Sequence, residues 1–342
     1  MENGHFTRQE ILSQPDAWAA ALKILDENRR SVLDLEPAHR FNNILFTGCG
    51  STYYLSLAAA SLTQELTGLP ARAFPASELW LYPKSSYTAA QTLLVAVSRS
   101  GETTETLRTC ESFLAGKRGT LLTLSCYGDM PLAKMGALNL VFPSGQEQSV
   151  AQTRAFSTLY LGTVVLAALW AGRAGVFDSL AGLPEAGRRV LKDNASLSAE
   201  LGHDATIDRF YWLGSGPRYG LASELSLKMK EMSLSHSEPF HFLEFRHGPK
   251  SMITPSALVV GLRSTVNGEK EAAVLEEVKG LGGRVVDMAE TGSTVRLGAR
   301  LDETFQNILY LPVGQMIAFE RALSKGLNPD RPTSVDTVVK IT

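Results

Sequence analysis

The chain has 342 residues, of which 44% are hydrophobic and 20% are charged. This composition is typical of a folded globular protein, and the length suits two α/β domains because one hydrophobic core usually serves ~100 to 200 residues. The 33 basic and 35 acidic side chains leave a net charge of −2. Such a balance argues against nucleic-acid and membrane partners, because both require clustered Lys and Arg.

The sequence also argues against export. The N-terminus lacks an apolar signal core, and no stretch approaches ~20 uncharged apolar residues. Three cysteines, too few and too unevenly spaced for a disulfide framework, lie at Cys49, Cys110 and Cys126. We therefore expect a cytoplasmic protein in a reducing compartment.

The first half alternates short apolar strands with helices. A helical N-terminal segment over 1–35 precedes a first domain over 36–175, whose predicted strands are NNILFTGCG, TLLVAVS, GTLLTLS and ALNLVFP. Helical sequence follows each strand, ending with the long TRAFSTLYLGTVVLAALWAG. This alternation predicts a parallel sheet with helices on both faces.

The second half repeats the pattern. A polar helical linker over 176–204 leads to a second domain over 205–327, and 328–342 form an irregular strap. RFYWLGSG, ALVVGL, GRVVDMA and NILYLPV are the predicted strands. Gly50 and Gly216 occupy equivalent strand-to-helix turns, which indicates an internal repeat.

An anion site is predicted where the second apolar strand ends, at SRSGETT. A helix N-terminus at the carboxyl end of a parallel strand offers free N–H groups, and three hydroxyls there add neutral donors. The alternative is a well-capped helix without a ligand. A similar turn, Gly50-Ser51-Thr52, follows the first strand, and two such turns in one sheet favour a phosphate.

No cofactor is predicted. The Gly48-x-Gly50 pattern lacks the third glycine of a dinucleotide fingerprint, and the Gly-Lys pair of a nucleotide P-loop is absent. A metal site is not expected because the histidines show no HExxH or similar spacing.

A predicted helix in the second domain carries an acid–base pattern. Glu224, Lys228 and Glu231 fall on one helical face, next to an apolar face of Leu221, Leu225, Met229 and Met232. The alternative is a solvated salt-bridge stripe.

A dense polar loop follows that helix and surrounds Gly248-Pro249, where a rigid turn can aim His247. Its other charged members are Glu244, Arg246 and Lys250. We expect His236 and His241 to be packing or surface residues.

Six ordered blocks resemble the tandem sugar isomerase (SIS) domain family, and the chain is similar over nearly its full length to the isomerase half of glucosamine-6-phosphate synthase. The blocks are Glu10-Ile11 with Gln14-Pro15, Gly48-Cys49-Gly50-Ser51-Thr52-Tyr53, Ser98-Arg99-Ser100-Gly101-Glu102-Thr103, Ser149-Val150-Ala151 with Thr153-Arg154-Ala155-Phe156, Leu227-Lys228-Met229-Lys230-Glu231, and Glu244-Phe245-Arg246-His247-Gly248-Pro249.

The resemblance implies a fold of two tandem flavodoxin-like domains and a set of functional residues. Glu231 is expected to move a proton between C1 and C2, with support from Lys228, and His247 of a neighbouring subunit in a homodimer is expected to assist ring opening. Glu224 and Glu244 are further possible members of the site. The implied sugar-phosphate ligands are Gly50, Ser51, Thr52, Ser98, Arg99, Ser100, Thr103, Val150 and Gln152.

Two departures from the family bear on the chemistry. We expect the chain to lack the glutaminase domain of the synthase, so glutamine is not expected to donate nitrogen. The C-terminal lysine that engages the sugar carbonyl is replaced by Thr337, and Lys340 is its possible substitute.

The expected function is therefore a sugar-phosphate isomerase or isomerising deaminase acting on a hexose or hexosamine 6-phosphate. Aldose–ketose interconversion needs one base that serves both carbons and an acid–base group at the ring oxygen. The alternatives are a fructosamine-phosphate deglycase and a non-catalytic phosphosugar-binding regulator. Arg99 suits either a phosphate or a sulfonate.

Overall fold

The computed structural model describes residues 2–88, 91–333, 335, 336, 338 and 341. Its strands form two parallel five-stranded sheets. In the first sheet they are β1 (Asn43–Gly48), β2 (Ala71–Pro75), β3 (Thr92–Ser98), β4 (Gly119–Ser125) and β5 (Leu138–Val141). In the second they are β6 (Arg209–Leu213), β7 (His236–Phe240), β8 (Ala257–Leu262), β9 (Arg284–Ala289) and β10 (Val295–Arg296).

Helices connect and cover the strands. They are α1 (His5–Leu12), α2 (Gln14–Glu27), α3 (Arg29–Leu33), α4 (Pro37–Arg40), α5 (Ser51–Thr67), α6 (Ala76–Leu81), α7 (Pro83–Ser86), α8 (Thr104–Ala115), α9 (Arg154–Trp170), α10 (Val176–Leu180), α11 (Leu183–Asp193), α12 (Ala195–His203), α13 (Pro217–Ser233), α14 (Gly268–Gly280), α15 (Glu303–Gln306) and α16 (Tyr310–Ser324). Short 3-10 turns occur at Pro131–Lys134, Pro143–Gly145, Glu244–Arg246, Pro249–Met252 and Asn307–Leu309.

The chain forms two compact units built from separated segments. Among the described residues, the first-sheet unit comprises those within 16–147, 154–181 and 336–342, and the second-sheet unit comprises those within 1–15, 148–153 and 182–335. The domain boundaries inferred from the sequence stay predictions, because they follow the order of the chain whereas these units follow contacts between distant segments.

The first sheet has the strand order β2-β1-β3-β4-β5, with every neighbouring pair parallel. Its central strands β1 and β3 are buried along their whole length, as expected when helices cover both faces. Helix α8 packs through Cys110 and Phe113 on a face that includes Leu45 and Leu94. Helix α5 packs against β1, β2 and α9.

Read from β7, the second sheet has the equivalent strand order β7-β6-β8-β9-β10. Helix α14 covers one face through Val274 and Leu275, which pack with Tyr211 and Val259. The glycines predicted to be equivalent adopt the same left-handed backbone, with φ of 54° at Gly50 and 57° at Gly216. The predicted class of two tandem flavodoxin-like domains is therefore confirmed.

One predicted strand is wrong. NILYLPV forms the Asn307–Leu309 turn and the start of α16. A short apolar run does not distinguish a strand from a buried helix, and α16 is buried along most of its length. Gly314 permits this packing, because a Cβ atom there would lie 2.6 Å from Leu225 Cδ2.

Three strands escaped prediction from the sequence: β2, β7 and β10. Each lies at the edge of its sheet and carries polar residues or proline within ARAFP, HSEPF and VR. Edge strands are only partly covered, so they need no continuous apolar run.

The three cysteines are free thiols. Burial raises the pKa of Cys49 to about 11 and that of Cys110 to about 12, and it also raises the pKa of Cys126. These groups stay protonated near neutral pH, which makes them poor nucleophiles. In the described residues, no helix has both the length and the apolar character needed to cross a bilayer.

Candidate functional site

The two hydroxyl-bearing turns lie side by side in the first-sheet unit. In the order β2-β1-β3-β4-β5, the connection after β1 leads to one edge of the sheet and the connection after β3 leads to the other. This divergence opens a crevice at the carboxyl ends of β1 and β3. Strands β1 and β3 are hydrogen-bonded neighbours, with Thr47 opposite Ala96. The turns that follow them, 49–50 and 99–103, therefore meet at one edge of the sheet.

The turn after β3 gathers its hydroxyl groups. Gly101, with φ of 72°, donates its N–H to Ser98 Oγ at 3.2 Å, and Ser98 Oγ lies 3.4 Å from Thr103 Oγ1. Ser100 Oγ accepts the N–H of Glu102 at 3.2 Å. Thr103 precedes α8 but its side chain makes no capping hydrogen bond. The Thr103 hydroxyl therefore bonds within the turn and does not serve as the side-chain cap of the ligand-free alternative.

The turn after β1 is closed by Thr52. Its Oγ1 accepts the N–H of Cys49 at 2.9 Å and donates to the Cys49 carbonyl at 3.0 Å. A Cβ at position 48 would lie 2.4 Å from this oxygen, so only Gly48 allows the contact. Thr52 is thus engaged in shaping the turn, and both Ser51 and Thr52 are nearly fully buried.

Arg99 is only 5% exposed and pairs with a carboxylate, Glu147, at 3.2 Å. Glu147 in turn accepts the N–H of Ala155, in the first turn of α9, at 3.0 Å. The guanidinium therefore neutralises a buried acid. Sequence reasoning missed Glu147, because an isolated acidic residue in the polar run GQEQS carries no spacing signal.

Two predicted ligands, Val150 and Gln152, lie in the second-sheet unit on the segment 148–153. Glu10 fixes this segment, because its carboxylate accepts the N–H groups of Gln148 at 2.6 Å and Ser149 at 3.2 Å. Val150 donates its N–H to the Asp330 carbonyl at 3.0 Å.

The side-chain oxygen of Gln152 is buried and has no hydrogen-bond partner within the described residues. An unsatisfied buried acceptor costs about 1–3 kcal/mol. A ligand that donates a hydrogen bond to Gln152 would remove this cost.

The matching N-terminal block supports the same segment. Gln14 donates from Nε2 to Gln315 Oε1 at 2.9 Å, and Gln315 donates from its own Nε2 to the Thr153 carbonyl at 3.3 Å. The residues of this block therefore hold a loop in place.

Helix α13 carries the predicted acid–base group. Lys228 Nζ lies 3.3 Å from Glu224 Oε1 and also contacts the carboxylate of Glu231. The side chains of Lys228 and Glu224 are completely buried, whereas that of Glu231 is 18% exposed. This burial excludes the solvated salt-bridge stripe, and Glu231 is the member whose carboxylate reaches the surface.

Electrostatics keep Lys228 charged. Burial by itself lowers the pKa of Lys228, but the carboxylates of Glu224 and Glu231 outweigh burial, so its pKa lies above the ordinary value. Lys228 is therefore an ammonium group at neutral pH that fixes the position of Glu231.

The polar loop around the Gly-Pro turn is anchored to α14. Glu277 binds Arg246 at 2.6 Å and Lys250 at 3.3 Å. Gly248 has φ of 125°, a conformation that favours glycine.

His247 and Glu244 are exposed within this loop. Among the described residues, the His247 imidazole makes no hydrogen bond or ion pair. The described contacts do not join His247 to Glu231, and its role stays a prediction.

The other two histidines of the segment 236–247 are surface residues, as expected. His236 and His241 are both exposed, and the ring of His241 stacks on Tyr219 at 3.9 Å between centroids. Thr337 and Lys340 lie outside the described residues. Within the described part of the chain, no group of three or more His, Cys, Asp or Glu side chains is placed to hold a metal ion.

Comparison with known proteins defines the class to which this architecture belongs. The SIS domain family model matches residues 39–169 and 205–315, so the chain belongs to the SIS domain family. The two matched segments contain the two parallel sheets.

Two curated relatives show how much of each chain the similarity covers. Glutamine–fructose-6-phosphate aminotransferase (isomerizing) of Methanothermobacter thermautotrophicus is 27% identical over 350 residues, covering 98% of this chain and 58% of the relative. The same enzyme of Idiomarina loihiensis is 29% identical over 372 residues, covering 98% and 59%. The chain thus spans less than two thirds of the length of these relatives.

Solved structures show the same architecture. Glucosamine-6-phosphate deaminase of Thermotoga maritima is 26% identical with a TM-score of 0.81, covering 97% of this chain and all of that one. Tagatose-6-phosphate ketose/aldose isomerase of Escherichia coli has a TM-score of 0.86 at 24% identity, covering 97% of both chains. The second likeness shows the fold alone.

Proposed function

We propose that the protein is a sugar-phosphate isomerase that interconverts the aldose and ketose forms of a hexose 6-phosphate, or releases ammonia from a hexosamine 6-phosphate while isomerising it. The observation that carries the proposal is the buried Glu224–Lys228–Glu231 group, in which only Glu231 reaches the surface. The named activities of the aminotransferase and deaminase relatives support the substrate class.

The chemistry assigns one role to each kind of group. The Glu231 carboxylate removes the C2 proton of the open-chain aldose to give an enediol and returns a proton to C1, while a proton passes from the C2 hydroxyl to O1. With an amine at C2 the same shift gives an imine, and one water molecule releases ammonia and leaves the ketose. Lys228 holds the carboxylate in place throughout.

The phosphate is assigned to the turns after β1 and β3. Hydroxyl groups and N–H groups at the carboxyl ends of neighbouring strands are suited to the oxygens of a phosphate or a sulfonate. Ser98 and Thr103 are hydrogen-bonded to each other, and Ser100 accepts a bond from Glu102 in the same turn, which places three hydroxyl groups together and favours them as ligands.

A substrate panel tests the proposal. The purified chain is incubated with hexose, hexosamine and fructosamine 6-phosphates, and NMR follows sugar isomers and ammonia. Glu231→Gln should abolish turnover and retain binding, whereas the control Glu276→Gln, on the surface of α14, should behave as wild type. Unchanged turnover in Glu231→Gln would remove this residue from the mechanism. Binding without chemical change in the wild type would favour a regulator, and release of an amino acid from a fructosamine phosphate would favour a deglycase.

We further propose that His247 opens the sugar ring in the site of a partner subunit within a homodimer. Its exposure and its lack of partners among the described residues support this assignment. Mixing equal amounts of Glu231→Gln and His247→Ala proteins, after dissociation and reassembly, should restore about a quarter of the wild-type activity, because half of the dimers are mixed and each has one intact site. No recovery in mixed dimers would place both residues in one subunit's site.

A further inference from the structure

A cavity of about 600 Å³ lies within the second-sheet unit, apart from every predicted site residue. One wall is the end of α11, with Arg189, Asp193 and Asn194, and the other is the segment that includes β10 and the loop after it, with Arg296 and Arg300. Its volume falls within the range of small-molecule sites, about 300–1,000 Å³.

The lining is strongly basic. Three guanidinium groups face a single carboxylate, that of Asp193. Arg189 donates to the Gly298 carbonyl at 2.7 Å. Arg296 and Arg300 form no ion pair with any described residue. A concave surface with unneutralised arginines attracts anions, and each planar guanidinium can bind a phosphoryl group through two hydrogen bonds.

The loop that carries these arginines is fixed in place. The Glu290 carboxylate accepts the N–H groups of Ala299 at 3.0 Å and Arg300 at 2.8 Å. Arg300 is held at φ of 55°, a left-handed conformation that is unfavourable for an arginine and that surrounding contacts must enforce. A site that is ordered before its ligand arrives loses less entropy on binding.

We propose that this cavity binds a small organic diphosphate. Two linked phosphoryl groups offer more oxygens to three guanidinium groups than one phosphate does, and the volume leaves room for an organic group beside them. Binding would link α11 to the loop after β10, which the described contacts join through the bond from Arg189 to Gly298.

Calorimetric titration of the full chain with ADP and with inorganic pyrophosphate, at low ionic strength and without metal, tests the assignment. The test protein is Arg296→Gln/Arg300→Gln. The control is Arg188→Gln/Lys192→Gln, which removes the same charge from exposed positions of α11 that do not line the cavity.

Wild type and control should bind ADP with equal affinity, and the test protein should bind it at least about tenfold more weakly, because hydrogen bonds to charged groups are lost. Equal affinity in all three proteins, or no binding of ADP at millimolar concentration, would overturn the proposal. Binding of pyrophosphate but not ADP would also overturn it, because an organic group would then be excluded. Equal thermal unfolding midpoints of the three unliganded proteins confirm that the substitutions leave the fold intact.

Discussion

The two sheets share one topology, but the crevices at the carboxyl ends of their strands are lined by different groups. In each sheet the order in which the chain adds strands reverses between two neighbouring strands. These are β1 and β3 in the first sheet and β6 and β8 in the second. The turns after β3 and β8 both have five residues, 99–103 and 263–267, before the next helix begins. The turn 99–103 of the first sheet and the turn 263–267 of the second are therefore equivalent, and both lie at the carboxyl ends of the strands.

The two turns also share their opening residues. Each begins with Arg-Ser, at Arg99-Ser100 and Arg263-Ser264. Each serine Oγ accepts the N–H two residues on, at 3.2 Å in the first turn and 3.1 Å in the second. Each arginine pairs with a carboxylate, Glu147 or Asp287. Because this pairing occurs in both turns, it favours a structural role for Arg99 rather than the predicted phosphate contact.

The difference lies in what covers the N–H groups. In the second turn the Ser264 N–H contacts the carboxylate of Glu271, and the Thr265 N–H donates to Glu303 Oε1 at 3.1 Å. Arg218 pairs with the same two acids, at 2.6 Å from Glu303 and 3.9 Å from Glu271. The second crevice thus holds anionic groups of its own, whereas hydroxyls line the first. The same fold can therefore line one crevice with hydroxyls and fill the equivalent one with its own acids. The crevice at 99–103 is called the open crevice below, and that at 263–267 the closed crevice.

The largest expected effect concerns the cation in the closed crevice. Arg218→Met leaves Glu271 and Glu303 without their counter-ion, and breaking a buried ion pair in this way costs about 3–5 kcal/mol. Urea unfolding followed by circular dichroism measures the loss. The control Arg188→Met breaks an exposed pair with Glu185 and should cost no more than about 1 kcal/mol. Equal losses would show that the second crevice is not an internally paired anion site.

The next effect separates the open crevice from the closed one. Ser100→Ala/Thr103→Ala removes two hydroxyl donors from the first turn. The binding free energy of this variant for glucose 6-phosphate should weaken by about 3 kcal/mol, because each of the two lost bonds to a charged group contributes at least about 1.5 kcal/mol. The matched variant Ser264→Ala/Thr265→Ala in the second turn should bind as wild type does. Calorimetric titration distinguishes them, and equal weakening would mean that both crevices bind the phosphate.

Sequence alone revealed the open crevice but not the closed one. Ser98, Ser100 and Thr103 could be found because hydroxyls cluster within six residues of chain at the end of an apolar strand. Glu271 and Glu303 lie on α14 and α15, far along the chain from Arg218, and no local pattern connects them. The sequence did not identify Glu147 as a partner of Arg99 for the same reason, because only their tertiary contact defines its role.

The fold was predictable to a similar degree. Apolar runs such as TLLVAVS and ALVVGL identified the buried central strands, whereas the edge strands β2, β7 and β10 lacked that signal. NILYLPV carried the signal but forms a helical segment, because burial on all sides produces the same apolar run in a helix. The helical spacing of Glu224, Lys228 and Glu231 predicted a shared face, but only packing decides that this face is buried.

A smaller effect is expected from opening the closed crevice. Glu271→Gln/Glu303→Gln removes both acids and leaves the charge of Arg218 available. Inorganic phosphate should then bind the variant about tenfold more tightly than wild type, close to 1.4 kcal/mol. Adding Arg218→Met to this variant should abolish the gain. A gain that persists without Arg218 would place the phosphate elsewhere.

The smallest effect is a pH dependence of stability from Glu271. Burial raises the pKa of Glu271 above its ordinary value of 4.5, and the Ser264 N–H and Arg218 only partly oppose burial. The folded state therefore holds this proton more tightly than the unfolded state does. Its contribution to stability is complete below pH 4.5 and is lost as the pH rises through the folded-state pKa.

Glu271→Gln cannot titrate at this position. The free energy of unfolding of wild type should therefore fall relative to that of the variant as the pH rises over that interval. Urea unfolding of both proteins across the acid range measures the difference. A shift in the opposite direction would show that Arg218 and the N–H outweigh burial, and the second crevice would then hold its acids as an ionic network even at low pH.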